Sequence, residues 1–201
     1  MTRRKESFTS SGKLHILTHL SNALRFLNEH SIAHLDLSPN NIMVVKDFLV
    51  KLIDFGEAYH PKVSTKYTPT NKRGNNGQFI YSPGRTFPYA PPETSSRYDN
   101  FSSQQDMYSL GVIMHQLLFG TFPFECHQDT HKRLYQEKTY NERILLAPER
   151  AELYAQLDFS TLLMNLTMKL LNCDEKRRPY PVWAHIIIKK LFYAIRWQPY
   201  T

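Results

Sequence analysis

Two short runs hold the residues whose types and spacing could do chemistry. The first is His34-Leu35-Asp36-Leu37-Ser38-Pro39-Asn40-Asn41, which offers a carboxylate and an amide five positions apart. The second is Asp54-Phe55-Gly56, whose aspartate lies eighteen positions after Asp36. Carboxylate and amide oxygens suit hard cations, and a carboxylate also accepts protons, so acid–base and cation chemistry is what these types allow. Taken singly, neither run decides anything. A lone His-x-Asp is more often a capped turn, and an Asp-Phe-Gly tripeptide arises by chance.

The elements on either side must hold these runs together. Residues 13–30 carry Leu17, Leu20, Leu24 and Leu27 at helical spacing, with Ser10 and Ser11 as candidate N-caps, so an amphipathic helix should lead into the first run. Residues 42–45 and 50–53 are β-branched stretches separated by residues 46–49, which predicts a tight hairpin joining the two runs. Residues 57–85 are polar and rich in Ser, Thr, Asn, Lys, Gly and Pro, and read as a long loop. Apolar periodicity returns at 107–119, 159–171 and 181–197, each predicting a buried or half-buried helix, with one or two weaker helices within 125–157. No internal repeat is found.

Composition limits the function classes. A chain of 201 residues with 41% hydrophobic and 21% charged residues has the make-up of one soluble globular domain. The many aromatics read as core and surface packing and point to no ligand. A formal charge of +7 raises the question of nucleic acid, but the basic residues fall in short scattered groups (Arg3 to Lys5, Lys72 and Arg73, Lys176 to Arg178, Lys189 and Lys190). No nucleic-acid-binding motif accompanies them, so a solvated surface is expected, with attraction to acidic substrates or phosphates left open. Cys126 and Cys173 are far apart and in no metal-spaced cluster, which argues against a disulfide framework or a zinc site and suits a reducing compartment. Residues 1–12 are polar and basic with no apolar stretch behind them, and eighteen consecutive apolar residues occur nowhere. The expectation is a cytoplasmic protein that neither enters a membrane nor binds nucleic acid.

What makes the two runs informative is the ordered series after them. Tyr89-Ala90-Pro91-Pro92-Glu93 follows the polar loop, then Asp106-Met107-Tyr108-Ser109-Leu110-Gly111-Val112, then Phe119-Gly120-Thr121-Phe122-Pro123-Phe124, and finally Arg178-Pro179. In type and order these resemble the eukaryotic protein kinase superfamily, in its Ser/Thr-like form, over almost the whole chain. The resemblance implies a protein kinase-like fold reduced to its C-lobe: mainly α-helical with a small two-stranded β hairpin (α+β), the N-lobe absent. It divides the chain into a polar tail, 1–12, and a C-lobe, 13–201. Within the lobe lie a catalytic loop at 34–41, the Asp-Phe-Gly motif at 54–56, an activation loop at 54–93 and C-terminal helices over 103–197.

The resemblance also implies roles. Asp36 would accept or orient the proton of the substrate hydroxyl, while Asn41 and Asp54 would hold Mg2+ against the phosphates of ATP, with Phe55 and Gly56 completing the cofactor-binding turn. Ser38 and Thr86 would position substrate. His34, Glu93, Asp106 and Arg178 would be structural: Asp106 would hold the catalytic-loop backbone, and Arg178 would pair with Glu93. The function implied is transfer of the γ-phosphate to Ser or Thr of a protein substrate, by a chain that needs its missing N-lobe or a partner chain. Without that lobe, apolar surface near the hairpin and first helix should be open to water.

Three departures from the family pattern matter. Leu35 stands where many members carry an arginine that pairs with a phosphorylated activation loop, which puts switching at Ser64, Thr65, Thr68 or Thr70 in doubt. Ser38 stands where Ser/Thr kinases carry a phosphate-contacting lysine, a loss worth roughly a hundredfold or more in rate. No Gly-x-Gly-x-x-Gly occurs. Two alternatives therefore stay open: a pseudokinase or interaction module without catalysis, and the small-molecule phosphotransferases related to aminoglycoside kinases. The latter share the His-x-Asp loop, but not the Pro-Pro-Glu segment, the Asp106 helix start or Arg178-Pro179.

Overall fold

The structure is a computed structural model, and it describes residues 8–62, 86–95, 101–123 and 161–196. Most of the polar loop with its four candidate phosphosites, the weaker helices of 125–157 and Cys126 lie outside the described residues.

Helix α1 (Ser10–Glu29) opens the fold. Its cap is Thr9 rather than Ser10 or Ser11: the Thr9 hydroxyl accepts from the Gly12 N–H at 3.1 Å, which places both serines inside the first turn. Leu14, Leu17, Leu20, Leu24 and Leu27 are all buried, and Ile16 joins them, because α1 is flanked on two sides by other helices. A turn at Ser31 then leads into residues 32–41, ending in a single 3-10 turn at Pro39–Asn41.

Strands β1 (Ile42–Val44) and β2 (Val50–Leu52) form the antiparallel hairpin, each one residue shorter than the β-branched runs suggest. Their register pairs Ile42 with Leu52, Met43 with Lys51 and Val44 with Val50. Val50 is buried, whereas Met43, Val44, Phe48, Leu49, Ile53 and Phe55 are exposed, so the apolar surface expected around the hairpin is present.

Helix α2 (Ser103–Phe119) starts four residues before its apolar stretch, since Gln104, Gln105 and Asp106 are buried together with the hydrophobic residues after them. A helix buried over nearly its whole length must be central, and α1 and residues 161–170 pack directly on α2. Gly111 sits at its closest approach to a neighbour: a Cβ there would lie 2.9 Å from the Leu170 Cβ. Gly120, at φ 73°, ends the helix in the left-handed conformation that suits glycine. Helix α3 (Thr161–Leu170) packs on α2, and α4 (Pro181–Arg196), opened by a proline at its first position, packs chiefly on α1. The described residues are thus mainly helical, with one two-stranded sheet at the edge.

Candidate active site

The loop 32–41 is tied to its surroundings residue by residue. Ala33 and Tyr59 exchange backbone hydrogen bonds of 2.9 and 2.8 Å, an isolated bridge inside what the sequence presents as polar loop. Next, the Asp106 carboxylate receives the His34 N–H on Oδ2 at 2.7 Å and the Leu35 N–H on Oδ1 at 2.8 Å. Leu35 has φ 64°, a left-handed backbone that costs a branched residue on the order of 1–3 kcal/mol. Two charge-assisted bonds from one buried carboxylate offset that cost. The Leu35 side chain is itself buried, so at this position the chain adds to the core instead of presenting a cation.

Asp36 is held from two directions. Its Oδ1 accepts the Thr86 N–H at 2.8 Å, and its Oδ2 accepts from the Asn41 side-chain amide at 2.9 Å. The same amide nitrogen donates to the Asp36 carbonyl at 2.8 Å, closing the turn on itself. A carboxylate oxygen has two lone pairs, so both oxygens keep room for a further donor. Thr86 reaches this point through its backbone, and its own carbonyl accepts the Tyr89 N–H at 3.0 Å. Tyr89 is anchored to α2 twice, by its carbonyl to the Ser109 hydroxyl at 2.9 Å and by its own hydroxyl to Gln116 Oε1 at 2.7 Å. Neither anchor carries a sequence signal, since both are made by residue types common on any helix.

Asp54 stands across the base of the hairpin. The Ile53 N–H donates to the Asn41 carbonyl at 3.0 Å, and His34 Nε2 lies 3.1 Å from the Ile53 carbonyl. A carbonyl only accepts, so Nε2 carries the proton. Asp54 follows with φ 59°, and its Oδ1 accepts the Gly56 N–H at 3.2 Å, an Asx-type turn that leaves the carboxylate exposed. Phe55 rests against the His34 ring at 4.8 Å between centroids and is otherwise exposed. Asp36, Asn41 and Thr86 are in direct contact, whereas Asp54 joins them through Ile53 and the hairpin.

Ser38 is placed differently from a surface substrate contact. It is fully buried, and its hydroxyl has no hydrogen-bond partner. Glu93 and Arg178 meet in two charge-assisted bonds of 2.5 and 2.7 Å. Arg178 is completely buried, donates also to the carbonyls of Asn172 at 2.7 Å and Gln104 at 2.9 Å, and lies over the Tyr108 ring at 5.0 Å. An exposed, weak pair is therefore excluded. Beside it Cys173 is a free thiol, which burial pushes up to about 11, out of the range of a reactive thiolate.

With fold and site in view, the family follows: the protein kinase domain family matches residues 1–192, and the chain belongs to it. Among known proteins it is similar to the serine/threonine-protein kinase ULK3 of Xenopus laevis, 36% identical over 147 residues, covering 70% of this chain and 28% of that protein. It is also similar to the skeletal/cardiac muscle myosin light chain kinase 2 of Bos taurus, 28% identical over 89% of this chain and 29% of the relative. A third relative, the Aurora kinase of Schizosaccharomyces pombe, is 30% identical over 66% of this chain and 34% of its own length. The chain thus spans about a third or less of the relatives it matches. Among the described residues, no helix is long and apolar enough to cross a membrane.

Proposed function

We propose that the chain from helix α1 onward, which begins at Ser10 and not at residue 13 as the sequence suggests, forms the C-terminal lobe of a Ser/Thr protein kinase, and that Asp36 directs transfer of the ATP γ-phosphate to a protein hydroxyl. The observation that carries this reading is the two-sided grip on Asp36 by the Thr86 N–H and the Asn41 amide. That grip orients the carboxylate while leaving lone pairs for an incoming hydroxyl. The hydroxyl oxygen forms the new bond to phosphorus, the bond to the bridging oxygen of ADP breaks, and the proton passes to Asp36. Positioning and charge neutralisation supply most of the acceleration in such transfers, so a rigidly tied loop is what the chemistry needs.

The donor set fits Mg2+. Asp54 is an exposed carboxylate with one oxygen turned to Gly56, and Asn41 commits its nitrogen to Asp36, which leaves its amide oxygen. Magnesium is commonly held by one or two carboxylates together with substrate phosphates, so the described residues do not need a cluster of three acidic or imidazole ligands, and they contain none. Bound there by Asn41 and Asp54, the ion would neutralise charge on the phosphates. Acceptors of the Ser or Thr type are supported by the relatives. The exposed Met43 of β1, on the face opposite Ile42 and Val44, and the exposed Phe55 after the hairpin mark the floor on which a nucleotide and a covering N-lobe would rest. As no glycine-rich loop lies within the 201 residues, we assign that cover to another polypeptide segment or partner chain, and the site of action to the cytoplasm.

The test supplies the chain with such a lobe, from in-frame upstream coding sequence or as a separate polypeptide, and follows transfer of labelled γ-phosphate to a protein substrate. Transfer is expected, with Asp36→Asn and Asp54→Asn each lowering it at least a hundredfold. Transfer that survives both changes, or none with the lobe present, overturns the reading.

A further inference from the structure

We propose that His15 and His19, in the first half of α1, form a binding site for a divalent transition-metal ion of the Zn2+ class, separate from the Mg2+ assigned to Asn41 and Asp54. The inference does not depend on the kinase reading. The two residues stand four positions apart on one helix, so their side chains lie one above the other on the same face. Their rings are 4.8 Å apart between centroids and tilted by 29°. An ion about 2.0–2.1 Å from one nitrogen of each ring, at a ligand angle of about 90–110°, sets the ring centres about 4.5–5.2 Å apart. The spacing is therefore that of a chelating pair, and rotation about the soft terminal torsion of each ring turns a nitrogen of each to a common point.

The surroundings hold the pair in place. The His15 ring packs 5.0 Å from that of Phe192 on α4 and 6.0 Å from that of Phe48 in the Lys46–Phe48 turn, and Phe48 meets Phe8 edge-on at 6.1 Å. His19 is half-buried, so an ion from solvent reaches the pair. An imidazole has two nitrogens and gives one to an ion, and a partner on the other orients the ring. Among the described residues no third acidic, thiol or imidazole ligand joins them, so water fills the remaining positions. The formal charge of +7 repels loosely held cations, so binding rests on coordination: imidazole favours Cu2+, then Ni2+ and Zn2+, and leaves Mg2+ to oxygen donors. An ion held across one turn of α1 fixes both rings and, through the contacts of His15, ties α1 to α4 and to the hairpin turn.

The untagged 201-residue chain is melted with ZnCl2, NiCl2, CuCl2 or MgCl2 in about tenfold excess, and the ions bound are counted by calorimetric titration. Zn2+ should raise the melting temperature by about 2–5 °C, with one ion per chain, and Mg2+ should leave it unchanged. His15→Phe and His19→Phe each keep a ring in the stack and remove a ligand nitrogen, so either should abolish the rise. In the unaltered chain, nitrogen NMR of the imidazoles reads the site without any substitution: Zn2+ should shift the signals of His15 and His19 together, ahead of every other histidine. The proposal is overturned by a rise that survives both variants, or by the absence of saturable binding with Zn2+, Ni2+ and Cu2+. Zn2+ that first shifts His127 and His131, also four positions apart in sequence, overturns it as well.

Discussion

Asp106 shows how one residue can serve the site without touching substrate. Its two oxygens hold consecutive backbone N–H groups, and the second belongs to a residue in left-handed conformation directly before Asp36. Arg178 does comparable work for the end of the Pro92–Ser95 turn, with both ends of its guanidinium used and the side chain fully buried. Removing one partner of a buried pair leaves an uncompensated charge, typically a loss of about 3–5 kcal/mol. Arg178→Met should therefore lower stability to urea by about that amount, and Glu93→Gln on top of it should restore part of the loss. A loss below about 1 kcal/mol for Arg178→Met would mean that water reaches the pair.

At the scale of elements, the packing of α4 on α1 contains a titratable contact. His185 Nδ1 lies 3.1 Å from the Ser21 hydroxyl, and both residues are buried. Burial, with the nearby charges of Arg25 and Lys189, holds the imidazole below its ordinary value of 6.5. A His depressed in the folded state binds fewer protons than in the unfolded chain, so its contribution is complete above about pH 6.5 and is lost as pH falls through the folded value. Melting temperature should accordingly fall between pH 7.5 and pH 5, and His185→Gln should flatten that fall. An unchanged slope in the variant would assign the acid sensitivity elsewhere.

At the scale of the molecule, the proposed C-lobe reading makes the site a floor. Asp36, Asn41 and Asp54 lie on one edge of a helical body, beside a hairpin whose outward side chains face solvent. Most of a ligand's surface must be buried for tight binding, and one wall cannot do that. Millimolar ATP with Mg2+ should thus raise the melting temperature of the 201-residue chain by less than about 1 °C in differential scanning fluorimetry. A shift of several degrees would require a second wall built from these same residues.

The sequence by itself determined the family and the order of its parts. Periodic leucines, the β-branched pair of runs and the ordered motifs are local or patterned features, and each follows from residue type and spacing alone. It misled at the cap of α1, which is Thr9 and not Ser10 or Ser11, at the start of α2, where polar residues are buried, and at Tyr59, read as loop but paired with Ala33. Only the tertiary structure decided that Leu35 is left-handed, that Tyr59 bridges back to Ala33, that Thr86 grips Asp36 by its backbone and that Ser38 is enclosed. These depend on contacts between distant segments and on backbone groups that every residue shares, and such groups leave no mark in the order of side chains.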